Sequence, residues 1–408
     1  MRTRFAALLV TGAVSGTGSR MTGVALPWFV LATTGSATRT GTVAFAEMTP
    51  YVLAKALGGP LIDRLGPRRV SVCADVVAML AVAAVPFLYT RHHLGFGPLL
   101  ALVAVAGLAM SMENTAKEVL LPAVVGGTPD ERAAGLYEGA NRLSSLIGAP
   151  VGAALIVALH GASPVLYVDA ATFLFAAIVV AALVPAPASA AEHRDEGYLA
   201  SLRTGFSWLW SNPLIRAIAL MILLTNLIDQ AVSTVLLPLW SRERIHSAAG
   251  VGVIAGATAL AATLGTIGMA AIGPKLPRRR TFAVCFLLGG APRLAILAGT
   301  ASLPWAAALV FLTSLGVGGI NPLLAAAFFE RIPQHLLARV LGTVTAIAWA
   351  GMPLGGLVGA AAVNGLGLTG ALLAGAALYL VATLWPFVSR TWRDFDRAEP
   401  VTELLEAA

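Results

Sequence analysis

The chain has 408 residues, of which 58% are hydrophobic and only 12% are charged, and its mean hydropathy is +0.82. Soluble globular proteins carry about 25% charged residues. The composition therefore excludes a disordered chain, a nucleic-acid-binding protein and an ordinary soluble enzyme. Because 27 Lys and Arg oppose 20 Asp and Glu, the formal charge is +7, and the positions of these charges decide what the excess means.

Long apolar runs recur along the whole chain. A helix that crosses the hydrocarbon core needs about 20 apolar residues, and twelve runs approach or exceed this length. They lie near residues 6–31, 41–62, 70–90, 97–119, 138–160, 164–184, 216–240, 249–272, 281–301, 304–328, 338–362 and 368–390. The runs contain Gly and Pro, as membrane helices do, and none alternates with period two as barrel strands do. We predict an all-α integral membrane protein with twelve transmembrane helices.

The basic residues indicate the orientation. With the N-terminus in the cytosol, the cytosolic segments hold 17 Lys and Arg, whereas the external loops hold 4, namely Arg39, Arg91, Arg242 and Arg244. This bias fits the positive-inside rule when both termini are cytosolic. The first apolar run resembles a signal peptide, but no clear cleavage site ends it, so we expect a retained first helix.

One long polar segment, 185–213, divides the chain into six spans and six spans. We predict a bundle over 1–184, a cytosolic linker over 185–213, a second bundle over 214–392 and a cytosolic tail over 393–408. Leu202, Phe206 and Leu209 fall at helical spacing in the linker, which favours an amphipathic helix on the membrane surface. A plain loop is the alternative.

The two halves repeat weakly. Leu26-Pro27 and Leu237-Pro238 lie 211 positions apart, the basic segments 64–69 and 275–280 occupy equivalent places, and Gly148-x-Pro150-x-Gly152 has a counterpart at 351–355. Three matches in the same order indicate a duplicated six-helix unit. Such repeats are typical of transporters, whose substrate site lies between the halves near the midplane.

The segment 59–69 reads GPLIDRLGPRR and closely resembles the signature between helices two and three of the major facilitator superfamily. The matching residues are Gly59, Asp63, Arg64, Gly66 and Arg68, and Pro67 replaces a usual basic residue. The stretches ALPW at 25–28, VDAATF at 168–173 and GFSWLWSNP at 205–213 resemble the branch of siderophore and macrolide exporters. Gly148, Pro150 and Gly152 loosely resemble an antiporter motif.

The resemblance implies two pseudo-symmetric six-helix bundles and a central cavity lined by helices one, four, seven and ten. It also implies that Asp63 packs against the cytosolic start of helix eleven and holds the cytosolic side shut. Charged residues inside spans are costly and mark functional sites. The candidates for the cavity and for energy coupling are Arg20, Glu113, Lys117, Asn226, Asp229 and Asn321.

Energy coupling is predicted to involve Arg20. The 211-residue offset sets Asp229 near the equivalent of Arg20, so Asp229 or Glu113 is expected to neutralise this arginine and to carry a proton. Two alternatives stay open: Glu113 and Lys117, spaced i and i+4, simply pair, and Arg293 only locks helices together. Asp75 and Asp169 lie near span ends, where capping or packing is expected.

Motifs for other chemistry are missing from the sequence. It contains no P-loop and no hydrolase motif, and Cys73 and Cys285 lack metal-ligand spacing. We therefore predict no enzyme activity, cofactor, metal or nucleic-acid partner. The expected protein is a monomeric, proton-driven exporter of small, largely apolar compounds in a bacterial cytoplasmic membrane. An importer or facilitator on the same scaffold and a transport-inactive receptor are the alternatives.

Overall fold

The computed structural model describes residues 2–125, 130–185 and 198–396, and every regular element in these ranges is helical. The first half contains α1 (Arg2–Thr34), α2 (Ala37–Leu57), α3 (Gly59–Leu65), α4 (Pro67–Thr90), α5 (Phe96–Val125), α6 (Asp130–Ala158) and α7 (Ser163–Leu183). The second half contains α8 (Tyr198–Ser211), α9 (Pro213–Ala231), α10 (Leu237–Trp240), α11 (Ala249–Ile272), α12 (Arg278–Gly289), α13 (Ala291–Gly299), α14 (Leu303–Ser314), α15 (Val317–Arg331), α16 (Leu337–Ala350) and α17 (Met352–Val388).

Short irregular helices join or end several of these elements. Two π-helical turns, Val232–Leu236 and Ser241–Ile245, flank α10 and make one continuous helical run with α9. Three 3₁₀ segments are Gly273–Lys275, Gln334–Leu336 and Arg390–Asp396. The predicted segments 186–197 of the linker and 397–408 of the tail lie outside the described residues.

Nine helical stretches of the described chain are long and apolar enough to cross a membrane. One of them, Arg339–Val388, has 50 residues and contains Gly367 in a left-handed conformation with φ 69°. Glycine adopts this conformation without a steric penalty, so the chain turns there between two spans. The helices α1 and α2 are also long enough to cross a membrane, and counting them is consistent with the predicted twelve spans.

The helices form two compact units. The first contains α1 to α7 together with Ala231–Gly256 and Gly356–Asn364. The second contains α8, the chain up to Gln230, Ala257–Gly355 and the chain from Gly365 onwards. The first unit therefore includes the end of the seventh span, the start of the eighth and part of the eleventh.

Within the first unit, α1 packs on α6 and α7, while α4 lies between α5 and α7 and α2 packs on α5. Small residues make these approaches close. A Cβ atom built on Gly107 of α5 would lie 2.2 Å from the backbone oxygen of Glu47 in α2. Without a hydrophobic driving force in lipid, close backbone packing of this kind holds membrane helices together.

The segments that the second half contributes to the first unit pack on the ends of α1 and α2. A Cβ atom built on Gly41 would lie 2.3 Å from the backbone oxygen of Gly356. Asn364 donates a hydrogen bond from Nδ2 to Thr38 Oγ1 at 2.8 Å. Arg242 donates from Nη1 to the carbonyl oxygen of Leu31 at 2.8 Å, so a residue predicted to lie in an external loop caps the end of α1.

In the second unit, α8 packs on α16, and the C-terminal 3₁₀ segment packs on α12. Gly205 of α8 comes so near to α16 that its Cβ atom would lie 2.6 Å from the backbone oxygen of Arg339. Leu209 is buried, whereas Phe206 and Trp210 are exposed and stack with ring centroids 5.3 Å apart. This helix presents an apolar aromatic edge, and its place on a membrane surface stays a prediction.

Candidate functional site

The signature segment forms a sharp corner between α2 and α4. Gly59 begins the short helix α3, and Asp63 and Arg64 lie exposed on it. Gly66 joins α3 to α4 with φ 85°, a conformation that a side chain would strain. The glycine therefore explains the abrupt turn, while the gating role predicted for Asp63 stays a prediction.

Arg68 anchors this corner. Its guanidinium donates a hydrogen bond to the carbonyl oxygen of Ala181 in the last turn of α7. Arg279, 211 positions later, makes the equivalent contact in the second half: its Nε donates to the carbonyl oxygen of Pro386 and its Nη2 to that of Phe387, both at 2.8 Å. Cations at a helix C-terminus satisfy carbonyl groups that lack partners. Each half thus fastens its third span to its sixth.

Two of the charges predicted to line the cavity, Glu113 and Lys117, meet in the first unit. Lys117 forms an ion pair with Glu113 one turn earlier on α5. Ser15 of α1 joins them, because its Oγ donates to Glu113 Oε1 at 3.1 Å and accepts from Lys117 Nζ at 3.1 Å. The Lys117 and Glu113 residues are 1% and 2% exposed, so this is a buried polar contact between α1 and α5.

Asp75, for which the sequence predicted capping or packing, completes the cluster. The residue is fully buried, and its Oδ1 lies 3.5 Å from Lys117 Nζ. Asp75 lies eight residues after the start of α4, about 12 Å into the helix at 1.5 Å per residue. That depth was the available signal, because a lone carboxylate so far inside an apolar span needs a partner.

A second ion pair lies in the second unit. Arg293 of α13 pairs with Asp229 of α9, and their side chains are 14% and 41% exposed. Asn226, one turn before Asp229, donates from Nδ2 to the carbonyl oxygen of Ala348 in α16 at 2.9 Å. The other helices therefore leave part of the Asp229 side chain uncovered, next to the arginine.

These contacts revise the predicted pairing. Asp229 or Glu113 was expected to neutralise Arg20, but each carboxylate has a basic partner from its own half. Glu113 pairs with Lys117, which was the stated alternative, and Asp229 pairs with Arg293. The 211-residue offset relates positions along two helices, whereas pairing depends on how each helix is rotated about its axis. Arg293, expected to lock helices, is the partner that the offset argument did not find.

The antiporter-like motif sets the position of Arg20. A Cβ atom on Gly148 would lie 2.5 Å from the Cβ of Arg20, and one on Gly152 would lie 2.8 Å from the Cα of Met21. Pro150 packs instead towards α11, against Gly256. The motif therefore seats α6 directly on α1, and Arg20 is exposed at this contact.

Two further polar positions have simpler surroundings. Asp169 is fully buried and accepts hydrogen bonds from the hydroxyl groups of Thr22 at 2.5 Å and Thr172 at 3.2 Å, which fastens α7 to α1. Asn321 lies exposed on α15. The structure therefore brings Glu113, Lys117 and Asp229 into two ion-paired clusters, one per unit. Arg20 and Asn321 lie outside both.

The model of the Major Facilitator Superfamily matches residues 8–246 and 220–404. A protein named multidrug efflux pump Tap from Mycolicibacterium fortuitum is 28% identical over 374 residues, which cover 90% of this chain and 91% of that protein. A protein of the same name from Mycobacterium tuberculosis is 29% identical over 383 residues, covering 92% and 90%.

Solved structures share the architecture. The nucleoside transporter NupG superposes with a TM-score of 0.79 at 13% identity, covering 96% of this chain and all of that one. A bacterial homologue of the human lysosomal transporter Spinster, in an inward-facing and unoccupied conformation, gives a TM-score of 0.75 at 13% identity, covering 97% and 98%. These two likenesses show the fold alone. With the family model matching nearly the whole length, the chain belongs to the major facilitator superfamily and is a multi-pass membrane transporter.

Proposed function

We propose that the protein is a proton-driven exporter of small, largely apolar compounds that works by alternating access. The observation that carries the proposal is the Asp229–Arg293 pair, a carboxylate held by an arginine inside an apolar span while 41% of its side chain stays exposed. The arginine compensates the charge of the carboxylate, while the rest of the carboxylate's surface is left uncovered by the neighbouring helices.

The direction of transport is supported by the relatives. Proteins named multidrug efflux pump align over about nine-tenths of both chains. The sequence also lacks a P-loop for ATP, so an ion gradient is the proposed energy source. The apolar composition of the spans favours small apolar substrates over sugars, which need many polar groups to bind.

The coupling step follows from the chemistry of the pair. Arg293 stays charged throughout the cycle. Contact with its guanidinium therefore favours the ionised form of Asp229. When the two side chains separate, an unpaired carboxylate in an apolar surrounding is unfavourable, and a proton from solvent neutralises it. Re-forming the pair releases the proton, which links proton passage to the conformational cycle.

The signature corner is proposed to act as the cytosolic gate. Asp63 is placed by the turn at Gly66, and Arg68 fastens that turn to α7. We expect Asp63→Asn to slow transport while leaving expression intact. Full transport by this variant would remove the gate from the proposal.

Transport in everted membrane vesicles tests the proposed function. A panel of fluorescent dyes and antibiotics is offered to energised vesicles that contain the wild type, Asp229→Asn or Glu138→Gln. Glu138 is a matched control, because it also pairs with an arginine but is 59% exposed on the helix surface. We expect uphill accumulation by the wild type and by Glu138→Gln, abolished by a protonophore, and equilibration without accumulation by Asp229→Asn.

Two results would contradict the proposal. Wild-type accumulation that needs a sodium gradient and survives the protonophore would exclude proton coupling. Undiminished accumulation by Asp229→Asn would exclude the named residue.

A further inference from the structure

The cluster of Ser15, Asp75, Glu113 and Lys117 in the first unit has a charge imbalance. One ammonium group faces two carboxyl groups, and these two carboxyl groups and the ammonium are all at least 97% buried. Among the described residues, the charged side chains that interact electrostatically with the Asp75 carboxyl group are Lys117 and Glu113. If all three groups were ionised, one negative charge would stay uncompensated inside the bundle, which is very unfavourable.

Glu113 and Asp75 make unequal contacts, and the difference indicates which of the two carboxyl groups is neutral. Glu113 has the direct ion pair with Lys117 and also accepts the Ser15 hydroxyl. Asp75 has only a 3.5 Å approach from Lys117 Nζ to its Oδ1, and its buried Oδ2 has no hydrogen-bond partner among the described residues. An anionic oxygen left bare in this way costs more than a neutral O–H.

We propose that Asp75 is a proton-binding site of the first bundle, protonated while Lys117 is held by Glu113 and Ser15. The inference rests on the proposed function and deepens it, since it adds a proton site in the half that lacks Asp229. It needs no further cofactor: the proton adds to an Asp75 carboxylate oxygen and leaves to solvent as such.

Ser15 connects this site to α1, the first span. It lies on α1, five residues before Arg20, and its hydroxyl bridges Lys117 and Glu113 at 3.1 Å to each. A shift of α1 that withdraws Ser15 frees the flexible lysine side chain to turn towards Asp75. The ammonium then stabilises the Asp75 carboxylate and displaces its proton, so that proton release depends on the position of α1.

Infrared difference spectroscopy of the purified full-length protein in proteoliposomes tests the site directly. The carbonyl stretch of a protonated carboxyl group is followed while the pH is stepped, for the wild type, Asp75→Asn, Glu113→Gln and Glu118→Gln. Glu118 is the matched control on the same helix, because it pairs with Lys55 at 2.7 Å but is 52% exposed.

We expect one protonated-carboxyl band that is lost in Asp75→Asn and kept in Glu118→Gln. Glu113→Gln should lose the same band, because Lys117 without its partner turns to Asp75 and displaces the proton. A band that survives unchanged in Asp75→Asn would overturn the proposal, and so would a band that Glu118→Gln loses as well.

Transport separates this inference from the proposed function. Asp75→Asn should lose uphill accumulation at least tenfold while still exchanging substrate down its gradient. If Asp75→Asn accumulates like the wild type while the protonophore still abolishes transport, the Asp75 site is wrong and the exporter stands. If the Asp75-dependent band responds to sodium at constant pH, the site binds a metal cation and the proton assignment is wrong.

Discussion

Removing the cation from the buried cluster should destabilise the first unit strongly. In Lys117→Met the ammonium is lost, and Glu113, whose side chain is 3% exposed, keeps only the Ser15 hydroxyl as a partner. Breaking one side of a buried ion pair costs about 3–5 kcal/mol. The lower end applies here, because the Ser15 hydroxyl still donates a hydrogen bond to Glu113. At about 2–4 °C per kcal/mol for a unit of this size, we expect the unfolding temperature to fall by roughly 6–12 °C.

The double variant Glu113→Leu/Lys117→Met tests the reason for that loss. Replacing both members of a buried pair by apolar groups is often neutral or stabilising, so most of the stability should return. Unfolding temperatures of the purified proteins in detergent, read by loss of the monomer peak after heating, provide the measurement. A single variant as stable as the wild type, or a double variant less stable than the single one, would refute the reasoning.

Three further predictions concern the packing and the topology. Gly41→Val should separate the N-terminal end of α2 from the eleventh span, since even one Cβ atom there would lie 2.3 Å from a backbone oxygen. Cysteine labelling at that face should then increase. The control Gly23→Val should leave the labelling unchanged, because nothing lies within 4 Å of a Cβ atom at that position. Arg68→Gln and Arg279→Gln should each lower stability by about 1 kcal/mol, and unequal losses in thermal unfolding would argue against equivalent anchors. A cysteine at Ser201 should escape external labelling in intact cells, and its modification would reverse the proposed orientation.

Much of the fold could be predicted because lipid restricts the choices. Only helices and closed barrels satisfy their backbone groups inside a membrane, so apolar runs of sufficient length predict spans directly. The internal repeat predicted more than the number of spans. The offset of 211 that relates Leu26 to Leu237 also relates Arg68 to Arg279, and both arginines cap the sixth span of their own half.

The site was predicted less well, for reasons of geometry. The cost of a charge inside a span pointed to Glu113, Lys117 and Asp229, and the structure places all three in ion pairs; their roles in transport stay a prediction. Partners depend on that rotation and on helix neighbours, which a sequence offset does not contain. The pairing of Arg293 with Asp229 and of Asp75 with Lys117 therefore becomes visible only in the three-dimensional arrangement of the helices.

Substrate-induced proton movement tests proton-driven export most directly. Everted vesicles are acidified inside by respiration, and internal pH is followed with a fluorescent amine while a transported compound is added. The account predicts that the compound causes a rapid rise of internal pH with the wild type and none with Asp229→Asn. Accumulation of the compound by the wild type without any change of internal pH would contradict it.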